Sequence, residues 1–420
     1  MPRRSANRAN TDPMFAFCRH CGQSFPANEQ AVQGVCPDCL ELLYCVCDGC
    51  GSLHHIDTSR IVHDTDQVLC PSCAAIVATE CECCHEIYSA NTRFVRDNAG
   101  RLRCPGCAEE YRECQGCGRH FHYDDLVEDD CGDLYCWQCT NGVDFRGVHS
   151  YSFKPEPKFH RLPGEDDNSL VFGIELEMDG NDPEAAIKRI TSKVGEDWLY
   201  FKHDGSLNEG AELVTHPISP AYILSDEGRA MWRYICESAK AEGMRSHDVG
   251  TCGLHVHINR DFFGSSGAKR DIAEYKLLTI MDRFFEPMVI FSRRRPEQIG
   301  HWAQRLSLPK TADNWLTSAR SASRISKGTR YYALNTTNRY TMEFRIFRGT
   351  LRFETLMATF QLLAGLCDFA AQATPGRLQT INWYELIDEA IAHCPGSTEE
   401  LEAYLLEKEL MTERKETKCA

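Results

Sequence analysis

The stretch Val171–Met178, VFGIELEM, decides how the rest of the chain is read. Its positions alternate strictly: Phe172, Ile174, Leu176 and Met178 on one side, Gly173, Glu175 and Glu177 on the other. A period of two marks a β-strand with one face in a core, and it sets the two carboxylates about 6.6–6.8 Å apart on the other face. One such strand could be a solvated acidic surface. Three later stretches repeat the device with complementary chemistry. Ala211–Thr215 offers Glu212 beside Val214, GLHVHI offers His255 and His257, and TMEFRIF offers Glu343 and Arg345 opposite Met342, Phe344 and Ile346. Singly, each has an ordinary explanation, such as a hydrogen-bonded histidine or a salt bridge. Together they supply hard oxygen ligands, imidazole and a guanidinium, which is what two divalent cations and a phosphate require.

Outward from these strands the pattern turns helical. Asp182-Pro183 opens a helix with the apolar face Ala186, Ile187, Ile190, Val194. Further helices are expected around Ala230–Glu242, Ile272–Phe291, Pro296–Leu306, Leu351–Ala373 and Trp383–Glu409. Between Arg293 and Arg352 stand 13 Lys plus Arg against 3 Asp plus Glu, within a chain of net charge −15. A cationic run beside the strand that carries Arg345 suits a triphosphate, with Arg330, Asn335, Arg345 and Arg348 as its candidate contacts. Ser318–Arg330, rich in Ser and Arg, reads as a mobile lid over the phosphates.

Before residue 140 the chain is a different object. Of 24 cysteines, 19 lie between Cys18 and Cys139. They form eight CxxC pairs: Cys18/Cys21, Cys36/Cys39, Cys47/Cys50, Cys70/Cys73, Cys81/Cys84, Cys104/Cys107, Cys114/Cys117 and Cys136/Cys139. Taken in order they make four units of two knuckles, with 14 to 19 residues between the knuckles. Two knuckles close a tetrahedral four-thiolate zinc site, and a closed site holds the fold and does no chemistry. Cys45, Cys83 and Cys131 are left over, and which thiols bind in the run Cys81–Cys84 stays open on spacing alone. This segment carries 8 Arg, no Lys and 20 Asp plus Glu, before any charge from the thiolates. Such a surface repels a phosphate backbone, which argues against nucleic acid and for protein recognition or architecture.

At 420 residues the chain is long enough for several domains. The expected organisation is a disordered basic tail at 1–17, four zinc-ribbon-like modules at 18–139 and a linker at 140–169. A catalytic domain at 170–395 and a C-terminal helix and tail at 396–420 follow. No run of 18 apolar residues suggests a membrane span. The basic, polar start shows no apolar export signal, so the thiols are expected in a reducing compartment, the cytoplasm.

The runs GIELEM, DGSL, GAELVTHP, GLHVHI and TMEFRIFRGT resemble the amidoligase family, over roughly residues 170–375. That family is similar to glutamine synthetase and glutamate–cysteine ligase. The resemblance implies an α+β fold, a curved antiparallel sheet with helices and an active site on its concave face. It implies an ATP-dependent ligase that joins a carboxylate to an amine through an acyl phosphate. Glu177 and Glu212 would hold one Mg2+, and Glu175, Glu343 and His255 or His257 the other. Arg345 would touch the phosphates. One departure is that glutamine synthetase has a further glutamate beside the one matching Glu212, whereas Asp204 and Glu209 are the nearest acids here. Two other readings remain: a zinc-scaffolded adaptor with an inactive ligase-like domain, and a metal-dependent hydrolase.

The ligand arithmetic of four thiolates per site predicts about four zinc ions per purified chain. Elemental analysis returning one or none, with the thiols oxidised, would contradict the ribbon reading.

Overall fold

The computed structural model describes residues 15–18, 24–26, 34–82, 84–96, 101–116, 120–122, 126–128, 133–136, 148–149, 153–180, 183–204, 207, 210–247, 249–250, 252–264, 267–309 and 315–412. The chain divides into two compact units. One comprises Met1–Glu80, His85–Thr92 and Ser266–Ala268; the other comprises Cys81–Cys84, Arg93–Ser265 and Lys269–Ala420.

The knuckle region is built by one repeated local device. Cys-Pro-x-Cys occurs at Cys36, Cys70 and Cys104, at 34-residue intervals. Each first cysteine has extended backbone and caps a short helix, Pro37–Leu43, Pro71–Val77 or Pro105–Glu110, its sulfur accepting the amide of the second cysteine. Proline fits the first helical position, where no amide hydrogen is needed. The sulfur of the preceding knuckle accepts the capping cysteine's own amide: Cys18 from Cys36 at 3.3 Å, Cys47 from Cys70 at 3.2 Å and Cys81 from Cys104 at 3.3 Å. Each helix runs straight into a hairpin strand, Tyr44–Val46, Ala78–Glu80 or Tyr111–Glu113. The expected tail at 1–17 is shortened, because Phe15–Phe17 pairs with Ser24–Pro26; residues 1–14 lie outside the described ones.

The second unit holds a seven-stranded sheet. Its strands are Val148–His149 (β1), Phe172–Met178 (β2), Leu199–Lys202 (β3), Ala211–Thr215 (β4), Gly253–Asn259 (β5), Leu334–Asn335 (β6) and Thr341–Arg348 (β7). Their spatial order is β1-β3-β4-β2-β5-β7-β6, which makes β2 central. The expected antiparallel sheet is a mixed one, because β1 runs parallel to β3 while the other ladders are antiparallel. The segment read as a linker at 140–169 therefore contributes an edge strand. It also docks further along, where His160 donates its amide to Pro217 and stacks on Trp198 at 3.7 Å.

Alternation sends Phe172, Ile174, Leu176 and Met178 into the core, each at most 1% exposed. Helices Asp226–Ala241 and Phe353–Gln372 cover that face through Trp232 and Phe360, whose rings lie 5.2 Å apart, with Phe172 6.4 Å from Phe360. Phe353–Gln372 is buried along nearly its whole length, as its apolar run requires. Helix Glu399–Glu407 lies inside the same core despite the expected boundary at 395. Leu401 donates to Gln361 at 2.8 Å, and the Tyr404 hydroxyl donates to the Phe291 carbonyl at 3.0 Å.

Gly365, in Phe353–Gln372, lets that helix lie against Trp383–Ala392, because a Cβ there would collide with the Ala390 carbonyl. Gly365→Ala should therefore destabilise by at least about 1–3 kcal/mol, the usual overpacking range. Thermal melting checks this, and an unchanged midpoint would contradict the packing.

Candidate active site

The site follows from register. Glu175 on β2 lies opposite Val214 of β4 and His255 of β5, and Glu177 lies opposite Glu212. His257 lies opposite Gly173 on one side and Glu343 of β7 on the other. Because side chains alternate, this one register gathers Glu175, Glu177, Glu212, His255, His257, Glu343 and Arg345 on the face turned away from Trp232 and Phe360. A bulge between β5 and β7 at Leu254/Val256 turns both Phe344 and Phe347 inward and sets Arg348 opposite Gly253.

Glu175 is the hub. Its carboxylate oxygens lie 3.4 Å from His255 Nδ1 and 3.3 Å from His257 Nε2. Glu343 Oε1 lies 3.6 Å from His255 Nδ1 and 4.0 Å from His257 Nε2. Arg345 also donates to Glu343 Oε1, and Asn335 donates to Oε2 at 2.7 Å. Glu212, His255 and Glu343 are almost fully buried, with Glu175 and His257 partly open. His257 Nδ1 lies 3.1 Å from the Thr341 hydroxyl, which orients the ring.

The electrostatics follow from crowding. Burial alone would raise Glu175 and Glu343, but His257 and His255 outweigh it and hold both carboxyls below their ordinary range. Burial would lower His257, yet Glu175 and Glu343 hold it above its usual value. Burial pushes Glu177 up. Such a cluster pairs its charges internally and can exchange protons for a cation.

The donor set fits a metal. Glu175, His257 and Glu343 form one group whose ligand atoms lie within 4.8 Å of one another, and Glu175, Glu212 and His255 form another. Carboxylate oxygens with imidazole suit Mg2+, Mn2+ or another divalent ion.

Two residues that the sequence reading passed over sit beside these groups. Lys202 on β3 lies opposite Glu212, its Nζ 3.0 Å from Glu212 Oε2. Arg294 is buried, donates to the Phe347 carbonyl at 3.2 Å and is drawn down to about 10 by burial. A Cβ on Gly253 would stand 2.6 Å from its guanidinium and 3.3 Å from Glu177 Oε2, so glycine is what lets the two approach. The alternation of Tyr200 and Lys202 in LYFK was the signal for β3.

Of the expected nucleotide contacts, Asn335 and Arg345 join the cluster, and Arg348 lies near Arg294. Arg330 is exposed and lies over the Tyr331 ring at 5.2 Å. The expected lid is corrected as well. Trp315–Ser326 is a helix, with Ser318, Ala319, Ala322, Ser323 and Ser326 buried. The Ser326 hydroxyl lies 2.6 Å from that of Thr336, so this face is packed rather than poised to open.

Residues 193–367 match the family model described as "Putative amidoligase enzyme". The match covers less than half of the chain and includes Glu212, His255, His257, Glu343 and Arg345, while β2 with Glu175 and Glu177 precedes it. No curated protein matches the chain. An amidoligase domain points to ligase chemistry on carboxylate and amine substrates.

Cysteines form further clusters of ligand atoms. Cys47, Cys50, Cys70 and Cys73 form one, Cys81, Cys84, Cys104 and Cys107 a second, and Cys18, Cys36 and Cys39 three-quarters of a third. Two sulfurs at about 2.3 Å from a tetrahedral zinc stand roughly 3.8 Å apart. Cys50 and Cys70 are 4.0 Å apart and Cys84 and Cys104 3.9 Å, so the residues fit zinc. Cys21, Cys83, Cys117, Cys131 and Cys139, and the side chain of Cys136, lie outside the described residues. Cys45, left over by the spacing, lies 3.0 Å from the Ser59 hydroxyl.

His257 must lose its ring proton before it can ligate. Its folded value is raised, so below that value the imidazolium repels a cation and above it the ring is free to bind. Mn2+ affinity should therefore rise from pH 6 to pH 8.5, and in Glu343→Gln it should be weak at both. Titrations giving one affinity across that range would contradict the ligand set.

Proposed function

We propose that this domain is an ATP-dependent carboxylate–amine ligase that forms an amide through an acyl phosphate. The observation that carries the reading is the convergence of Glu175, His255, His257 and Glu343 on one sheet face, with Arg345 at its rim. Transfer of a phosphoryl group to a carboxylate brings anions together, and the domain's task is to offset that charge and align the reactants. Glu175, Glu343 and the two histidines would hold Mg2+, which when bound neutralises phosphate oxygens. Arg345 spends one nitrogen on Glu343, while its Nε is buried without a hydrogen-bond partner. That remaining edge of the guanidinium is the one suited to phosphate. Arg348 and Arg294 add positive charge nearby. The amine attacks the carbonyl carbon of the acyl phosphate, the C–O bond to the phosphate breaks and inorganic phosphate leaves, and the amine's proton passes to solvent or to a basic side chain, giving the amide.

The thiolate modules, read as four at 18–139, would be structural, serve protein recognition and keep their thiols reduced in the cytoplasm. Among the described residues, no helix is long and apolar enough to cross a membrane.

Arg345→Lys tests the reading, because a point charge cannot replace a planar fork. The expected result is a fall of about a hundred- to thousand-fold in ADP formation, equivalent to roughly 2.7–4 kcal/mol, with little change in melting temperature. The assay uses a panel of carboxylates and amines. Near-normal turnover, or a loss of stability that accounts for the lost activity, would defeat it. ATP-independent cleavage of an amide in the same panel would favour a hydrolase.

A further inference from the structure

We propose that Lys202 stands in for the second divalent cation, so that this site binds one metal ion and a built-in ammonium instead of two metal ions. The inference rests on the ligase reading and concerns the same sheet face. Lys202, Glu212 and Glu177 lie in one cross-strand row over β3, β4 and β2. That row carries the acids to which a first magnesium would be assigned. Each is already engaged. Glu177 Oε2 accepts the Gly253 amide, and Glu212 Oε2 lies 3.0 Å from Lys202 Nζ. The Lys202 side chain is only 16% exposed and that of Glu212 3%, so the pair is part of the wall and not a surface contact.

Charge and distance decide between the two arrangements. Mg2+ on Glu212 would sit about 2.0–2.1 Å from its oxygen. On Oε2, the oxygen that the ammonium approaches at 3.0 Å, the two cations would stand no more than about 5 Å apart in a poorly solvated site. In the neighbouring cluster Arg345 holds only Glu343 Oε1, and both oxygens of Glu175 face imidazoles. There the donor atoms of Glu175, His255, His257 and Glu343 face one another at 3.3–4.0 Å. Lys202 is thus a positioning residue that fixes Glu212 and supplies one positive charge to the phosphate face.

The test counts Mn2+ bound to the full, zinc-loaded chain at pH 8 by electron paramagnetic resonance, without nucleotide. Wild type should bind one Mn2+. Lys202→Met should bind two, and Lys202→Met combined with Glu212→Gln should return to one. Two in the wild type, or one in Lys202→Met, would overturn the assignment. No Mn2+ in any of the three would overturn the metal-dependent reading beneath it, which keeps the two failures distinguishable.

Discussion

The constraint on which everything else depends is strand register. Glu175 meets His255 only because Phe172 lies opposite Ile258, and His257 meets Glu343 only because Asn259 lies opposite Thr341. A slip of one residue in either ladder would send carboxylates into the helical core and phenylalanines to the polar face. The cost of burying an unpaired carboxylate makes such a slip prohibitive. The apolar face is thus what guarantees the chemistry of the polar one. Phe172, Ile174 and Leu176 hold Glu175 in place by having nowhere else to go.

The polar face in turn is stable because its charges are interleaved. Imidazoles alternate with carboxylates, and Asn335, Arg345 and Lys202 close the rim. The cluster is nearly neutral by itself yet rich in exchangeable protons, so it can trade protons for a cation. The knuckle region solves a different problem. Its modules have cores of a few residues, such as Cys47, Val62, Leu69, Cys70, Ala74 and Ile87. Cores this small need a cross-link, and a metal ion held by the clustered cysteines would supply one.

Much of this was legible in the sequence because alternation and cysteine spacing are local signals. The faces of β2, β4, β5 and β7 could be read directly, whereas Ile272–Phe291 is two helices, Gly267–Arg283 and Phe285–Ser292, and Trp383–Glu409 is Trp383–Ala392 and Glu399–Glu407. What escaped was short or tertiary. Two residues at Val148–His149 carry no period, so a strand passed for a linker. Leu199–Lys202 is only four residues long, so Lys202 was not seen as facing Glu212. Arg294, just past helix Phe285–Ser292, lies near enough to Glu177 for its charge to act there, a proximity no spacing encodes. Ser318–Arg330 was misjudged by composition. Its small residues at 319, 322, 323 and 326 fall at helical spacing, and small side chains there allow close packing.

The central claim is that this sheet face binds ATP through a metal. Isothermal titration of the full chain with ATP tests it most directly, with and without Mg2+. The metal-free arm uses no chelator, since a chelator would strip the thiolate sites. The account predicts ATP binding with Mg2+ present and at least tenfold weaker binding without it. Equal affinity in both arms, or no binding with Mg2+, would contradict it.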